Sequence, residues 1–279
     1  MVTLLSVRVG CDFQFTALGP THAVFQIEPI RTDRAAVLNE WWSISPELRR
    51  QGYEDSFGNI CQRVTMPAGP FALRYDALVQ VPGDEEDGDP SVRECAPADI
   101  PGPVLVYTLP SRYCLSDELQ AVAATNFGAM TPGWSRVQAI CDFVHSHLTF
   151  GYGSSSPLTT AVDVYNHKMG VCRDYTHLGI ALCRAINIPA RYVMGYMADI
   201  DNPPEGEMDF CAWMEVWLNG GWYTFDPRNN RKRIGRIVIA RGRDALDCAM
   251  VTSFGSPILD SMTVWADQVF PEPAAASPT

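Results

Sequence analysis

The sequence predicts an α+β fold in which an N-terminal antiparallel β-domain precedes a core of helices and strands. Residues 3–81 contain repeated strand patterns, and in FALRYDALVQV every second residue from Phe71 to Val81 is apolar and shares one face. In WSRVQAICDFVHSHL the apolar residues recur instead at three- and four-residue spacing, which is typical of a half-buried helix. Strand patterns return after residue 190 in ARYVMGYM, CAWMEVWL, WYTF, GRIVIAR and SMTVWADQV.

Polar segments divide the chain into four regions. Residues 1–82 form the predicted β-domain, and residues 83–103 are acidic and contain several Gly and Pro residues, which predicts a solvated linker. Residues 104–270 form the predicted core, whose first helix is expected to begin at Ser116 as N-cap. The segment PEPAAASPT at residues 271–279 predicts a disordered tail.

The bulk composition limits the function classes. The chain has 279 residues, of which 47% are hydrophobic, so a packed protein is expected rather than a disordered one. A formal charge of -11 disfavours nucleic acid and anionic membranes as partners. The N-terminus lacks a basic region followed by an apolar run, and no segment approaches the roughly 20 apolar residues of a membrane span. We therefore expect a cytoplasmic location.

The nine cysteines do not form a recognisable framework. Their number is odd, they are scattered, and no CxxC pair occurs, which argues against both a disulfide scaffold and a four-thiolate zinc site. Most of them are expected to act as small buried apolar residues. A special role for any one of them needs local support.

Cys172 has that support. It follows a Gly-Val pair, and from it Tyr175, Leu178 and Leu182 keep helical register until Pro189 stops the helix. A thiol at a helix N-terminus lies beside unpaired backbone N–H groups, which favour the thiolate and can hold an oxyanion. The position predicts a nucleophilic cysteine.

Two long segments resemble the transglutaminase-like superfamily: GVCRDYTHLGIALCRAINIPARYVMGYM and CAWMEVWLNGGWYTFDP. The resemblance implies a papain-like core in which a nucleophilic Cys at a helix N-terminus packs on an antiparallel sheet. Cys172 matches the nucleophile, and Asp226 matches the Asp that orients the catalytic base. The resemblance further implies amide or acyl chemistry through a thioester on a peptide or amide-containing substrate, without a metal or organic cofactor.

The sequence departs from the family at the base itself, because Cys211 stands where the family has His. A thiol is a weak acceptor and does not form a stable cation beside a thiolate. Several interpretations remain open: an enzyme with an altered triad of Cys172, Cys211 and Asp226; a catalytically silent binding protein; a redox or metal site; a substituted residue 211; or a role for His177. A regular helix turns His177 about 140° away from the face of Cys172, which disfavours the last.

A basic cluster follows the Asp226 motif. It holds seven of the 21 Lys and Arg residues: Arg228, Arg231, Lys232, Arg233, Arg236, Arg241 and Arg243. An ion-paired or solvated surface is the simple interpretation. The alternative hypothesis is that some of these guanidinium groups bind a carboxylate of the substrate.

Overall fold

The computed structural model of the chain describes residues 3–32, 34–86, 88–200 and 208–270. The predicted tail at residues 271–279 lies outside these ranges. Six strands precede the helical region: β1 (Leu4–Ala17), β2 (Thr21–Phe25), β3 (Ala36–Ser45), β4 (Gln51–Glu54), β5 (Ile60–Met66) and β6 (Gly69–Pro82). Helices and two short strands follow: α1 (Gly102–Leu105), α2 (Gln120–Phe127), α3 (Trp134–His147), β7 (Thr149–Phe150), α4 (Ala161–His167), β8 (Met169–Gly170) and α5 (Cys172–Ala185). Six further strands complete the described order: β9 (Ala190–Met197), β10 (Cys211–Leu218), β11 (Gly221–Phe225), β12 (Arg236–Gly242), β13 (Val251–Phe254) and β14 (Ile258–Val269).

Three antiparallel four-stranded sheets form within the described ranges. Two N-terminal sheets have the strand orders β14-β1-β6-β3 and β13-β2-β5-β4, and the core sheet has the order β11-β10-β9-β12. The apolar face predicted for β6 is buried, with its alternate residues from Phe71 to Val81 each at most 2% exposed. Mixed helices and antiparallel sheets confirm the predicted α+β class.

The N-terminal sheets are completed by strands from the far end of the chain. β14 pairs with β1 from Ser6 opposite Val269 to Thr16 opposite Ile258, and β13 pairs with β2. The predicted core range 104–270 therefore includes two strands that belong to the N-terminal sheets. Strand patterns alone do not identify a strand's partner, which explains the difference.

The segment 83–103 packs against the core instead of running through solvent. The Glu86 carboxylate lies 3.0 Å from Nε of Arg236, and Glu94 forms an ion pair with Arg136 on α3. The backbone N–H of Trp134 also donates to the carbonyl of Val92 at 3.0 Å. Acidic residues predicted as solvated thus find arginine partners.

Helix α5 lies on the core sheet and positions the candidate nucleophile. It begins at Cys172, as predicted, and contacts β9 and β10. Gly179 permits this close approach, because an added Cβ would lie 2.8 Å from Pro227 and 3.1 Å from the sulfur of Met214. The predicted helix at Ser116 begins later: residues 116–119 form a turn, and α2 starts at Gln120. None of the helices in the described ranges combines the length and apolar character that a membrane span requires.

Candidate active site

The start of α5 is fixed by three neighbouring residues. The Asp174 carboxylate accepts the backbone N–H of Val171 at 2.8 Å, which satisfies one of the unpaired donors of the first turn. Gly170 precedes them, and a Cβ there would lie 2.7 Å from Cβ of Asp174. The Gly-Val-Cys sequence therefore allows the turn before α5 to close tightly over a buried carboxylate, with Cys172 as the first helical residue.

The sulfur of Cys172 is held in a desolvated position. Its thiol donates to the carbonyl of Phe210 at 3.9 Å. Burial raises the pKa of Cys172 to about 11, although the charge of Arg228 and backbone hydrogen bonds from Ala212 and Arg173 lower it. The backbone at the helix start thus lowers this pKa, as expected, but burial outweighs that effect. The side chain is a neutral thiol at pH 7.

Cys172 opens into a cleft of about 750 Å³, which we call the Cys172 cleft. Cys211 lines the same cleft, as do Asp209, Arg228 and Tyr175. The cleft lies between the start of α5, the loop before β10 and the turn after β11. The structure thus brings the two predicted thiols to one surface.

Cys211 is the first residue of β10 and is also a neutral thiol. Its Sγ donates to the carbonyl of Asp209 at 3.8 Å. Burial, together with a smaller effect of negative charge on Cys172, raises the pKa of Cys211 to about 12. All nine cysteines are free. No group of three or more His, Cys, Asp or Glu residues placed to bind a metal occurs in the described part of the chain.

Asp226 directly follows β11 but does not line the Cys172 cleft. One carboxylate oxygen accepts the backbone N–H groups of Arg228 at 3.0 Å and Asn229 at 2.9 Å. The other accepts the Asn229 side-chain amide and the Arg236 guanidinium, both at 2.7 Å. Asp226 lines a neighbouring cavity of about 300 Å³. No hydrogen bond joins it to Cys211 within the described ranges.

The partners of Asp226 determine its charge. Burial alone raises the pKa of this carboxyl, but Arg236 and the hydrogen bonds from Asn229 outweigh burial and hold the pKa below its usual value. Asp226 is therefore an ionised carboxylate whose acceptor sites are already taken. For Asp226 to orient residue 211, Arg236 or Asn229 would first have to release one of the Asp226 carboxylate oxygens.

Two histidines are placed differently with respect to the cleft. His177 is fully buried, stacks on Tyr113 and accepts the backbone N–H of Ala245 at 3.1 Å. Burial lowers the pKa of His177 well below its usual value, and the residue does not line the Cys172 cleft. His145 does line the cleft, where its Nδ1 lies 2.8 Å from the carbonyl oxygen of Arg228.

The structure adds cleft residues that the sequence reasoning missed. Asp209 precedes Cys211 by two positions, so an extended chain places both on one side, and this spacing was an available signal. Burial raises the pKa of Asp209. Phe150 lies under the guanidinium of Arg228 at 4.2 Å, and no local pattern in the sequence indicates this contact.

Comparisons with known proteins agree with this architecture. A family model described as the transglutaminase-like superfamily matches residues 120–227. A crystal structure from Cytophaga hutchinsonii, provisionally named a cysteine protease, has 31% sequence identity and a TM-score of 0.86, covering 97% of this chain and 92% of that one. An uncharacterized protein of Mycobacterium leprae is 31% identical over 229 residues, or 78% of this chain and 80% of the relative.

A second similarity covers a smaller part of the chain. A protein-glutamine gamma-glutamyltransferase of Pseudomonas aeruginosa is 33% identical over 92 residues, which are 29% of this chain and 14% of that protein. The similarity to the Cytophaga structure, in contrast, includes the N-terminal sheets as well as the core. Together with the family match and the Cys-bearing helix on an antiparallel sheet, it establishes that the chain belongs to the transglutaminase-like superfamily.

Proposed function

We propose that the chain performs cysteine-dependent amide or acyl chemistry, in which Cys172 attacks a carbonyl and forms a thioester. The observation on which this rests is the position of Cys172 at the first residue of α5, open to a cleft of about 750 Å³. Family membership supports cysteine-based acyl or amide chemistry in general. The names of the Cytophaga and Pseudomonas relatives, a provisional cysteine protease and a glutamyltransferase, are consistent with it.

The chemistry begins from a neutral thiol. The Cys172 sulfur forms a C–S bond with the carbonyl carbon, the C–N bond of the amide breaks, and the thiol proton leaves with the amine. Water or another amine then attacks the thioester and releases the acyl group. The first backbone hydrogen bond at the start of α5 runs from the N–H of Asp174 to the carbonyl of Val171, so the preceding N–H groups of Cys172 and Arg173 can stabilise the oxyanion during both steps.

Cys211 and Asp226 are the other members of the proposed non-standard triad. Cys211 lines the cleft beside Cys172, and the charge of Asp226 acts on its thiol. In this proposal Cys211 passes the proton between Cys172 and the leaving group, while Asp226 and Arg236 fix the turn behind it. Whether hydrolysis or transfer follows depends on the acceptor that enters the cleft.

A second candidate function is binding without catalysis. The observation in its favour is that both cleft thiols have raised pKa values while Asp226 is held by Arg236 and Asn229. In the part of the chain that the structure describes, no histidine side chain has a hydrogen bond to Asp226 or Cys172. Under this alternative, the cleft binds a peptide or amide-containing ligand and releases it unchanged.

Acylation by p-nitrophenyl acetate distinguishes the two functions. If the enzyme proposal is correct, Cys172 gains one acetyl group far faster than the half-buried Cys95, and the group is lost again with time. Intact mass and peptide mapping measure both steps. Cys172→Ser should abolish the fast acetylation, whereas Cys95→Ser should not change it. Acetylation of Cys172 no faster than that of Cys95 would favour the silent cleft.

We also propose a cytoplasmic location and a peptide or amide-containing partner. All nine cysteines are unpaired thiols, a state that a reducing compartment maintains. The net charge of -11 argues against nucleic acid and anionic membranes as ligands. Cell fractionation tests the location directly.

A further inference from the structure

Arg228 differs from most of the other arginines that follow Asp226. Four of them lie against a carboxylate: Arg233 with Asp199 at 3.5 Å, Arg236 with Asp226 at 2.7 Å, Arg241 with Glu215 at 2.9 Å, and Arg243 with Asp247 at 2.8 Å. The guanidinium of Arg228 instead lies over the ring of Phe150 at 4.2 Å. It forms no ion pair with a carboxylate in the described part of the chain. Arg228 therefore has a positive charge that the fold does not neutralise by direct contact.

The backbone on both sides of this charge is fixed. The N–H of Arg228 donates to Asp226 at 3.0 Å, and its carbonyl lies 2.8 Å from Nδ1 of His145. Contact with the Phe150 ring restrains the guanidinium, and Arg228 is half-buried in the lining of the Cys172 cleft. Arg228 is thus a positioned group on the cleft wall.

The charge of Arg228 acts where the proposed reaction takes place. Arg228 lines the Cys172 cleft, and its charge lowers the pKa of both Cys172 and Cys211. Of the two acidic residues in the cleft lining, Asp199 is paired with Arg233. Asp209 accepts its hydrogen bond from the backbone N–H of Phe210. Neither carboxylate contacts Arg228.

We propose that Arg228 receives a carboxylate of the ligand, so that the Cys172 cleft selects acyl or peptide compounds with an anionic group near the reacting carbonyl. A planar guanidinium donates two parallel hydrogen bonds to a carboxylate, which provides orientation as well as attraction. The proposal deepens the proposed function and rests on it for the identity of the reacting carbonyl. The anion-binding role of Arg228 can be measured without any turnover.

Two alkylating reagents of similar size but different charge provide the test. Iodoacetate carries a carboxylate and iodoacetamide a neutral amide, and both modify thiols. We measure the rate at which each reagent alkylates Cys172 by peptide mapping at pH 9 and low salt. The ratio of the iodoacetate rate to the iodoacetamide rate at Cys172 is then divided by the same ratio at Cys95 in the same sample. Arg228→Gln should lower this normalised ratio by about threefold or more, and added salt should lower it in the native chain.

Two further variants separate a local effect from a general one. Arg228→Lys retains the positive charge but not the planar guanidinium that donates two parallel hydrogen bonds, so it should keep part of the preference for iodoacetate. Arg243→Gln removes a charge that is paired with Asp247 and lies outside the cleft lining, so its ratio should equal that of the native chain. Melting temperatures show whether each variant folds.

Three results would overturn the proposal: an unchanged ratio in Arg228→Gln, an equal fall in Arg243→Gln, or a native Cys172 that neither reagent modifies. The last would mean that the cleft does not admit small ligands, whether anionic or neutral. Failure of the enzyme proposal is distinguishable, because it would abolish acetylation by neutral p-nitrophenyl acetate and leave the iodoacetate preference intact.

Discussion

At the scale of single residues, two opposing effects act on the Cys172 thiol. A helix N-terminus contributes about 0.3–1 kcal/mol, and one pKa unit corresponds to about 1.4 kcal/mol, so the dipole shifts a pKa by less than about one unit. Desolvation can shift a buried group by several units. The raised pKa of Cys172, about 11, shows that burial dominates here. Position on a helix therefore does not by itself predict thiolate at neutral pH.

The alkylation of Cys172 should depend steeply on pH. Only the thiolate reacts, and with a pKa of about 11 it forms about one part in ten thousand of the thiol at pH 7. Because the pKa is raised, the iodoacetamide rate should increase about tenfold per pH unit up to pH 10, without a plateau near neutrality. Peptide mapping at several pH values measures it. A rate plateau below pH 8 would contradict burial as the dominant effect.

Introduction of an imidazole at position 211 should make Cys172 reactive at neutral pH. In Cys211→His, an imidazolium beside Cys172 stabilises the thiolate, so the pKa of Cys172 should fall and its alkylation at pH 7 should become at least about tenfold faster. Cys211→Ser is the matched control, because it removes the thiol without adding a base. An equal rate in the two variants would show that residue 211 does not contact the sulfur of Cys172.

At the scale of secondary-structure elements, α5 depends on one buried carboxylate. Asp174 is fully buried, accepts the N–H of Val171 at 2.8 Å and the hydroxyl of Ser155 at 3.0 Å, and lies 3.5 Å from Arg173. Each of these donors loses its acceptor if the carboxylate is removed. The carboxylate therefore links the start of α5 to the loop that precedes α4.

Replacement of Asp174 should destabilise the whole chain. Asp174→Ala leaves the backbone N–H of Val171 and the hydroxyl of Ser155 without their acceptor, which costs about 2 kcal/mol or more. Urea unfolding measures the free energy. Asp163→Ala is the matched control: Asp163 accepts the N–H of Thr160 at 2.9 Å in the capping box of α4, but it is exposed. Asp163→Ala should lower the free energy of unfolding by less than Asp174→Ala does. Equal decreases would contradict a special role for the buried carboxylate.

At the scale of the whole molecule, polar contacts join the N-terminal sheets to the core sheet. The hydroxyl of Tyr196 donates to the carbonyl of Ile27 at 2.9 Å, and Asn59 forms two hydrogen bonds with the backbone of Arg241 at 2.7 and 2.8 Å. Ring stacking of Phe13 with Phe210 continues the apolar contact. One continuous core predicts one cooperative unit.

Unfolding should therefore be a single transition. Hydrogen-exchange mass spectrometry at increasing urea should show β6 and α5 losing protection at the same midpoint. Tyr196→Phe, which removes the hydroxyl contact to Ile27, should lower both midpoints together. Protection of α5 that outlasts that of β6 would show that the N-terminal sheets unfold independently.

The sequence predicts local features of this molecule better than its long-range partners. The start of α5 at Cys172 follows from helical spacing, and the β10–β11 hairpin follows from the Asn219-Gly220 turn; the structure contains both. The contact of Arg236 with Asp226 depends on how β12 is aligned in the sheet, and that of Glu86 depends on the path of a segment without periodicity. Neither register nor path is contained in a local pattern.

The same holds for the candidate site. Matching segments placed Cys172, Cys211 and Asp226 on adjacent elements, but only the fold reveals that Asp226 faces a different cavity from the two thiols. The run of basic residues in the sequence predicted an arginine cluster, but it did not indicate which arginine has no carboxylate partner in the described part of the chain. Side-chain pairing across strands decides that question, and it is a property of the tertiary structure.

The pairing of β1 with β14 has a consequence for the order in which the molecule assembles during synthesis. β6 follows β1 along the chain and can join one of its edges early, but the other edge of β1 waits for residues 258–269. A strand edge that stays open for most of translation can pair with another nascent chain. We therefore expect the sheet β14-β1-β6-β3 to close only after the strands of the core sheet, β9 to β12, have been synthesised.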